Sequence, residues 1–401
     1  MAEHSFSKTP QSERIHIALF GRRNAGKSSL INALTGQQVA LVSDEPGTTT
    51  DPVIKSMEIL PLGPCVLIDT AGYDDTGKVG ELRIERTREV IKQTDIAILV
   101  TDGNSLDHEV TWAGLLKQSN VPYIAVLNKV DTLETTPTNP LLERIAKRLS
   151  CEAIPVSALH GTGLDLLKLT LAKLIPDDSK RSLTGSLARP GDVIVLVMPQ
   201  DPQAPKGRLI LPQVQTLRDL MDKRCIAVCC TTDDIEQTLE SLQQPPHLII
   251  TDSQVFDIVE KKRPDGVPLT SFSVLMAAHK GDINYFVESA RAIDYLTETS
   301  HVLIAEACTH APLAEDIGRE KIPRMLRQRV GNGLTIDIVA GKDFPDVLTG
   351  YDLVIHCGGC MFNQRFMLQR VQQCRAQGVP MTNYGIIIAH IKGILDRVSF
   401  P

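Results

Sequence analysis

Two groups of residues in this chain have the types and spacing to do chemistry. Near the amino end, Gly21-Arg22-Arg23-Asn24-Ala25-Gly26-Lys27-Ser28 is a loop bounded by glycines that ends in a lysine and a hydroxyl. Glycines let the backbone wrap a phosphate chain, and successive N–H groups at a helix N-terminus attract its negative charge. Lys27 is spaced to reach the outer phosphates and the Ser28 hydroxyl to meet Mg2+, and Ser29 is placed with them among the nucleotide-binding residues. Near the carboxyl end, Cys308-Thr309-His310 and His356-Cys357-Gly358-Gly359-Cys360 are the places where Cys and His crowd together. The Cys-x-x-Cys spacing lets two thiolates grip one metal ion or one cluster, and the paired glycines permit the tight turn. Three cysteines with two histidines satisfy tetrahedral zinc. They equally give a [4Fe–4S] cluster three thiolates and a replaceable fourth ligand.

The elements that must hold these residues read as alternating strands and helices. An apolar strand, Ile15–Phe20, leads into the glycine loop, and further short apolar runs lie at Cys65–Asp69, Asp95–Thr101 and Tyr123–Asn128. Runs of this kind belong to parallel sheets covered on both faces. A polar linker from Pro176 to Ser186 separates them from a second segment. That segment has strands at Asp192–Met198, Cys225–Thr231 and Leu248–Thr251, with helices over Gln213–Lys223 and Ile235–Leu242. Its small open sheet has an unprotected edge, which makes pairing of two chains plausible there. A third segment has strands at His301–Ala305, Leu334–Val339, Asp352–Ile355 and Thr382–Ile388, and helices over Ile322–Val330 and Asn363–Ala376. The expected fold class is therefore α/β, with three parallel-sheet α/β domains. Cys308 and Cys357 each follow a strand. The carboxyl ends of strands in an open parallel sheet share one rim, so the two cysteine half-sites are expected to converge.

Three more motifs choose the base. Asp69-Thr70-Ala71-Gly72 follows a strand, so Asp69 can hold the Mg2+ shell and the Gly72 N–H can sense the γ-phosphate. Asn128-Lys129-Val130-Asp131 closes another strand, and a carboxylate there accepts two hydrogen bonds from guanine that adenine lacks. Ser157-Ala158 resembles the loop whose backbone meets the guanine oxygen. Order and spacing together resemble the Ras-like P-loop GTPase superfamily, which implies that GTP and GDP bind. Pro46-Gly47-Thr48-Thr49-Thr50-Asp51 resembles the first switch of the TrmE–Era group, in which one of Thr48, Thr49 or Thr50 completes the Mg2+ shell. Tyr73 stands where Ras-type enzymes carry a water-positioning glutamine, which implies slow hydrolysis. Asn24 matches the loop asparagine of K+-dependent members and implies K+ stimulation.

Composition sets the outer limits. The net charge of −6, the single Trp and the six Tyr argue against a nucleic-acid partner. No apolar run approaches a membrane span, and Met1–Gln11 lacks a signal-peptide core, so a cytoplasmic protein is expected. The nine cysteines lack framework spacing and are expected as free thiols or ligands. Cys65, Cys225, Cys229 and Cys230 fall in expected strands and are read as small buried hydrophobes.

The combination of a GTPase segment, a small middle segment and a split Cys-x-His…His-Cys-x-x-Cys segment closely resembles the HydF family of [FeFe]-hydrogenase maturation GTPases. The resemblance covers essentially the whole chain. It implies a GTPase domain over 1–177, a dimerisation domain over 186–263 and a cluster-binding domain over 264–401. It also implies a [4Fe–4S] cluster on Cys308, Cys357 and Cys360, with His310 or His356 (or nearby Glu306) as the weak fourth ligand. The family acts as a homodimeric scaffold that receives a di-iron precursor made with radical SAM maturases and delivers it to apo-[FeFe]-hydrogenase. The rival readings are a TrmE/Era-like RNA-associated GTPase and a GTPase with a structural zinc.

Overall fold

In the computed structural model, the residues described are 9–36, 53–70, 87–133, 138–175, 182–199, 209–307 and 316–401. Thr48, Thr49, Thr50, Gly72, Tyr73, Cys308 and His310 lie outside them. The chain divides into two compact units, Met1–Lys180 and Arg181–Pro401.

The first unit holds a six-stranded sheet in the order β2-β3-β1-β4-β5-β6. Its strands are β1 (Ile15–Gly21), β2 (Val53–Ile59), β3 (Gly63–Asp69), β4 (Ile96–Thr101), β5 (Tyr123–Leu127) and β6 (Ala153–Pro155). All neighbours run parallel except β2, which pairs antiparallel with β3. Consecutive residues of β1 feed opposite cores, Ile17 and Leu19 on one face and Ala18 and Phe20 on the other. Both faces are therefore covered, which is why the strands read as unbroken apolar runs. The edge strand β2 carries Lys55, Ser56 and Glu58, and an apolar-run criterion does not reach it.

The second unit contains two four-stranded, wholly parallel sheets. One, in the order β10-β9-β7-β8, is built from β7 (Val193–Val197), β8 (Ile226–Cys230), β9 (Leu248–Thr251) and β10 (Leu269–Ser271). Its fourth strand thus lies past residue 263, where the expected middle domain stops. The other, in the order β12-β11-β13-β14, is built from β11 (His301–Glu306), β12 (Thr335–Ala340), β13 (Leu353–His356) and β14 (Met381–Asn383). Val195 and Ile249 of the first sheet share one continuous core with Val302, Ile304 and Ile355 of the second. The two sheets accordingly form one compact body.

Two expectations are corrected here. The run Thr382–Ile388 is not one strand: the strand ends at Asn383 and a helix covers Tyr384–Ile391. The Asn383 side chain accepts the Gly385 N–H at 2.8 Å and caps that helix. The helix is buried from Tyr384 to Ala389, so it is apolar all round and its isoleucines mimic a core strand. The second correction concerns the edge strand β8: Cys229 is exposed there, and Cys230 and the preceding Cys225 are only half-buried. Cys65 is buried as expected, and desolvation pushes its thiol up to about 12.

Candidate nucleotide site and cysteine turn

The nucleotide loop joins β1 to the helix Lys27–Thr35. Gly21 ends β1 against β4, where a Cβ would sit 2.3 Å from the Val100 carbonyl oxygen. Asn24 takes φ +61° and Gly26 φ +91°, two left-handed positions that curl the backbone. A Cβ at Gly26 would also lie 2.2 Å from Asn128 Nδ2, so glycine is required twice over. Ala25 is buried beneath the loop. Lys27 is buried too, and its ammonium donates to the carbonyls of Gly21 at 2.8 Å and Arg22 at 2.9 Å, which points it back across the loop.

Ser28 Oγ donates to Asp69 Oδ2 at 2.6 Å, which brings together two residues expected at a common Mg2+. Burial raises the Asp69 carboxyl above its ordinary value, while Ser28 and Lys27 pull it back. Asn128 is a buried staple: Nδ2 donates to the Ala25 carbonyl at 3.0 Å, and Oδ1 accepts the Ala158 N–H at 3.1 Å. It ties the glycine loop to the Ser157-Ala158 loop, and neither bond is visible in the motif. Lys129 is exposed in a left-handed conformation, φ +61°. Asp131 Oδ1 accepts the Ser157 hydroxyl at 2.5 Å, and that bond, named first among its causes, lowers the Asp131 carboxyl. Ser29 is half-buried on the first turn of the helix.

One charged residue at this loop has no motif. Glu109 lies wholly inside, on the buried face of the helix Asp107–Gln118 with Trp112, Ala113 and Leu116. Its spacing to those three residues is that of a core position, the one sequence signal that marks it. Neither carboxylate oxygen has a well-formed hydrogen bond, and Arg22 Nε of the glycine loop stands 3.9 Å away. Desolvation raises its carboxyl above the usual range, and the Arg22 charge opposes this. A carboxyl raised by folding binds its proton more tightly in the folded state. The associated stability is full below the unfolded value and is lost as pH rises through the folded one. Glu109→Gln is therefore expected to gain on the wild type as pH rises through and above the carboxylate range. The gain should reach about 1–3 kcal/mol at neutral pH, read from denaturant melts across pH. A difference that is flat with pH would refute the assignment.

Of the two cysteines expected after strands, Cys357 sits directly after one and Cys308 lies outside the described residues. Cys357 follows β13, whose partner β11 runs parallel with Ala305 opposite His356. The Cys357 N–H donates to the Ala305 carbonyl at 2.9 Å. Cys357 Sγ accepts N–H bonds from Ala307 at 3.0 Å and Gly359 at 3.4 Å. Ala307 is the residue before Cys308, so the two half-sites meet at least to that point. Gly359 takes φ +64° to close the turn, and Cys360 is half-buried at its end. Burial pushes the Cys357 thiol up to about 11, with the two amides opposing.

His356 is fully buried, with Nδ1 2.8 Å from the Cys357 carbonyl and Nε2 2.6 Å from Arg370 Nη1. Burial holds its imidazole down to about 3. Both ring nitrogens are thus engaged within the fold. Glu306, also buried, accepts the Arg319 guanidinium at 3.0 Å. Among the described residues no three His, Cys, Asp or Glu side chains gather as a metal site.

A sheet that presents a phosphate loop, a Ser–Asp pair and an Asn-Lys-x-Asp loop at one rim defines the class of P-loop GTPases. Residues 16–129 match the family model of the 50S ribosome-binding GTPase. Residues 183–281 match that of the hydrogen maturase F dimerization domain, and residues 284–401 that of its tetramerization domain. The chain belongs to the hydrogen maturase F family. GTPase Era of Xanthomonas axonopodis pv. citri (strain 306) is 36% identical over 190 residues, 43% of this chain and 63% of that protein. The tRNA modification GTPase MnmE of Nitrosomonas europaea is 38% identical over 163 residues, 40% of this chain and 35% of that protein. The chain therefore spans less than two thirds of either relative. Among solved structures, a probable GTP-binding protein engB covers 40% of this chain and 98% of its own at 24% identity and TM-score 0.34. Era in complex with MgGDPNP and a piece of 16S ribosomal RNA covers 54% of this chain and 92% of its own at 21% identity and TM-score 0.36. No helix among the described residues is long and apolar enough to cross a membrane.

Proposed function

We propose that this chain is a GTP-binding scaffold that holds a [4Fe–4S] cluster and delivers a di-iron precursor to apo-[FeFe]-hydrogenase. The observation that carries the reading is the pair of backbone N–H bonds received by Cys357 Sγ, one of them from the residue next to Cys308. A thiolate that accepts amide N–H bonds is a stabilised ligand, and such bonds tune clusters. Cys308, Cys357 and Cys360 would hold the cluster, leaving its fourth iron to take a replaceable ligand. With both His356 nitrogens engaged, His310 is the stronger of the two histidines for that position. In the first unit, Lys27 would meet the β- and γ-phosphates, and Ser28, Asp69 and one of Thr48, Thr49 or Thr50 the Mg2+. Asn128, Lys129, Asp131, Ser157 and Ala158 would enclose guanine, and the Gly72 N–H would report the γ-phosphate. Hydrolysis is read as slow, K+-stimulated through Asn24, and regulatory to cluster transfer. The exposed edge strand β8 of the middle sheet supports a homodimer.

The test is anaerobic reconstitution with iron and sulfide, optical and EPR spectroscopy, then loading with the radical SAM maturases and activation of apo-hydrogenase. A cubane signal with activation is expected. A zinc-only site would overturn the reading in favour of a structural metal. RNA binding that survives moderate salt, without activation, would overturn it in favour of an Era-like role.

A further inference from the structure

Tyr384 is the most deeply buried of the described tyrosines, and its hydroxyl makes no hydrogen bond. Tyr123, Tyr285 and Tyr351 are half-buried, and their hydroxyls donate to the Leu149 carbonyl at 2.7 Å, the Val379 carbonyl at 2.8 Å and Asp337 Oδ2 at 2.9 Å. Tyr384 is 8% exposed, and its buried hydroxyl has no partner among the described residues. Such a hydroxyl is costly, and phenylalanine would fill the same space without that cost.

The hydroxyl also stands at a particular place. The parallel register sets Asn383 of β14 beside His356 of β13, so Tyr384 and Cys357 leave the sheet side by side. From there the side chain reaches Gly318 and Glu306: a Cβ on Gly318 would lie 2.0 Å from the hydroxyl and 2.6 Å from Glu306 Oε1. Gly318 is not one of the left-handed glycines, so room for these two oxygens, and not backbone conformation, excludes a side chain there. Glu306 ends β11, on the far side of β13 from β14. The ring therefore spans the carboxyl end of β13, where Cys357 stands, and brings its hydroxyl beside the residue two places before Cys308. Glu306 Oε2 is held by Arg319, and the hydroxyl does not bond to Oε1.

A phenol keeps its proton at neutral pH, so what this one lacks is an acceptor. Burial, then the charges of Cys357 and Glu306, hold the proton more firmly still. Cys357 Sγ already collects the Ala307 and Gly359 N–H groups, and the hydroxyl is a third donor on the same rim. A cluster on thiolates presents acceptors alone, and hydrogen bonds to its sulfurs help to set its potential. The orphaned donor thus fits a sulfur-rich group.

We propose that the Tyr384 hydroxyl, held across the end of β13, donates a hydrogen bond to a sulfur of the cluster bound at the cysteine turn and raises its reduction potential. The inference rests on the cluster reading above.

The experiment compares wild type and Tyr384→Phe as full-length chains, first cluster-free and then reconstituted anaerobically with iron and sulfide. Denaturant melts are taken of the cluster-free proteins, iron content is measured, and the midpoint potential is read by EPR-monitored titration. The cluster-free variant is expected to melt no earlier than wild type, because the hydroxyl it loses has no partner in the protein. At the wild-type midpoint, the reconstituted variant is expected to shift the reduced-to-oxidised ratio about tenfold toward oxidised. For a one-electron couple that corresponds to a midpoint lower by about 59 mV. A variant that melts like wild type but loses iron faster to a chelator would also support the inference. Full iron content at an unchanged potential would overturn it and leave the cluster reading intact. A cluster-free variant that melts earlier than wild type would overturn it as well, by giving the hydroxyl a structural role. Wild type that takes up no cubane would instead overturn the reading on which the inference stands.

Discussion

Alanine at Cys357 or at Cys360 is expected to abolish cluster uptake, with iron content falling to background and hydrogenase activation lost, while GTP hydrolysis stays within about twofold of wild type. Cys357 is the more severe of the two, because its sulfur also accepts the Ala307 and Gly359 N–H groups and alanine strands both donors. A stranded buried donor costs about 1–3 kcal/mol, so Cys357→Ala should also lower the melting temperature of its unit. Cys360→Ala should not. The nucleotide loop and the cysteine turn lie in separate compact units, and hydrolysis is expected to persist when the cluster is lost. Loss of GTP binding in either variant would contradict two independent sites.

Asparagine at Asp131 is expected to weaken GTP binding by at least about 100-fold and to turn preference toward xanthosine triphosphate. Guanine presents two adjacent donors and needs an acceptor pair. An amide offers one acceptor and turns a donor toward a donor. Asp131 is prepared for this role: the Ser157 hydroxyl holds Oδ1 at 2.5 Å and keeps the carboxyl ionised. The carboxylate is therefore already oriented, and asparagine would keep the shape while reversing half of the hydrogen-bond pattern. Competition binding of GTP against xanthosine triphosphate reads the change. Unchanged GTP affinity would remove Asp131 from base recognition.

Some contributors to both sites escape motif reading because each depends on a contact distant in sequence. Asn128 is part of the guanine motif, yet its bonds to Ala25 and Ala158 span 103 and 30 residues. Glu109 carries no motif, and its place beside Arg22 of the glycine loop is set only when the helix Asp107–Gln118 packs its Trp112 and Leu116 face inward. The link of His356 to Arg370, 14 residues on, forms only when the helix Gln364–Ala376 brings the guanidinium against the end of β13. Lys280 precedes the carbonyls of Gly359, Cys360 and Phe362, to which its ammonium donates, by about 80 residues. The isoleucine run after β14 shows the same limit for secondary structure, since a helix buried on all sides and a core strand share one composition.

The sequence by itself determined what is local. The left-handed loop needs Gly26 where it stands, the Asn-Lys-x-Asp order points to guanine, and the Cys-x-x-Cys turn needs Gly359 at its left-handed position. Each of these follows from backbone conformation and side-chain chemistry within a few residues. Strand order along the chain was legible for the same reason, because apolar runs mark segments covered on both faces. Only the tertiary structure decided that the middle and last sheets share one core, that Cys229 faces outward on an edge strand, and that Lys280 and Arg370 converge on one turn. Burial and charge placement arise from packing between segments far apart in the chain, and no local pattern carries that information.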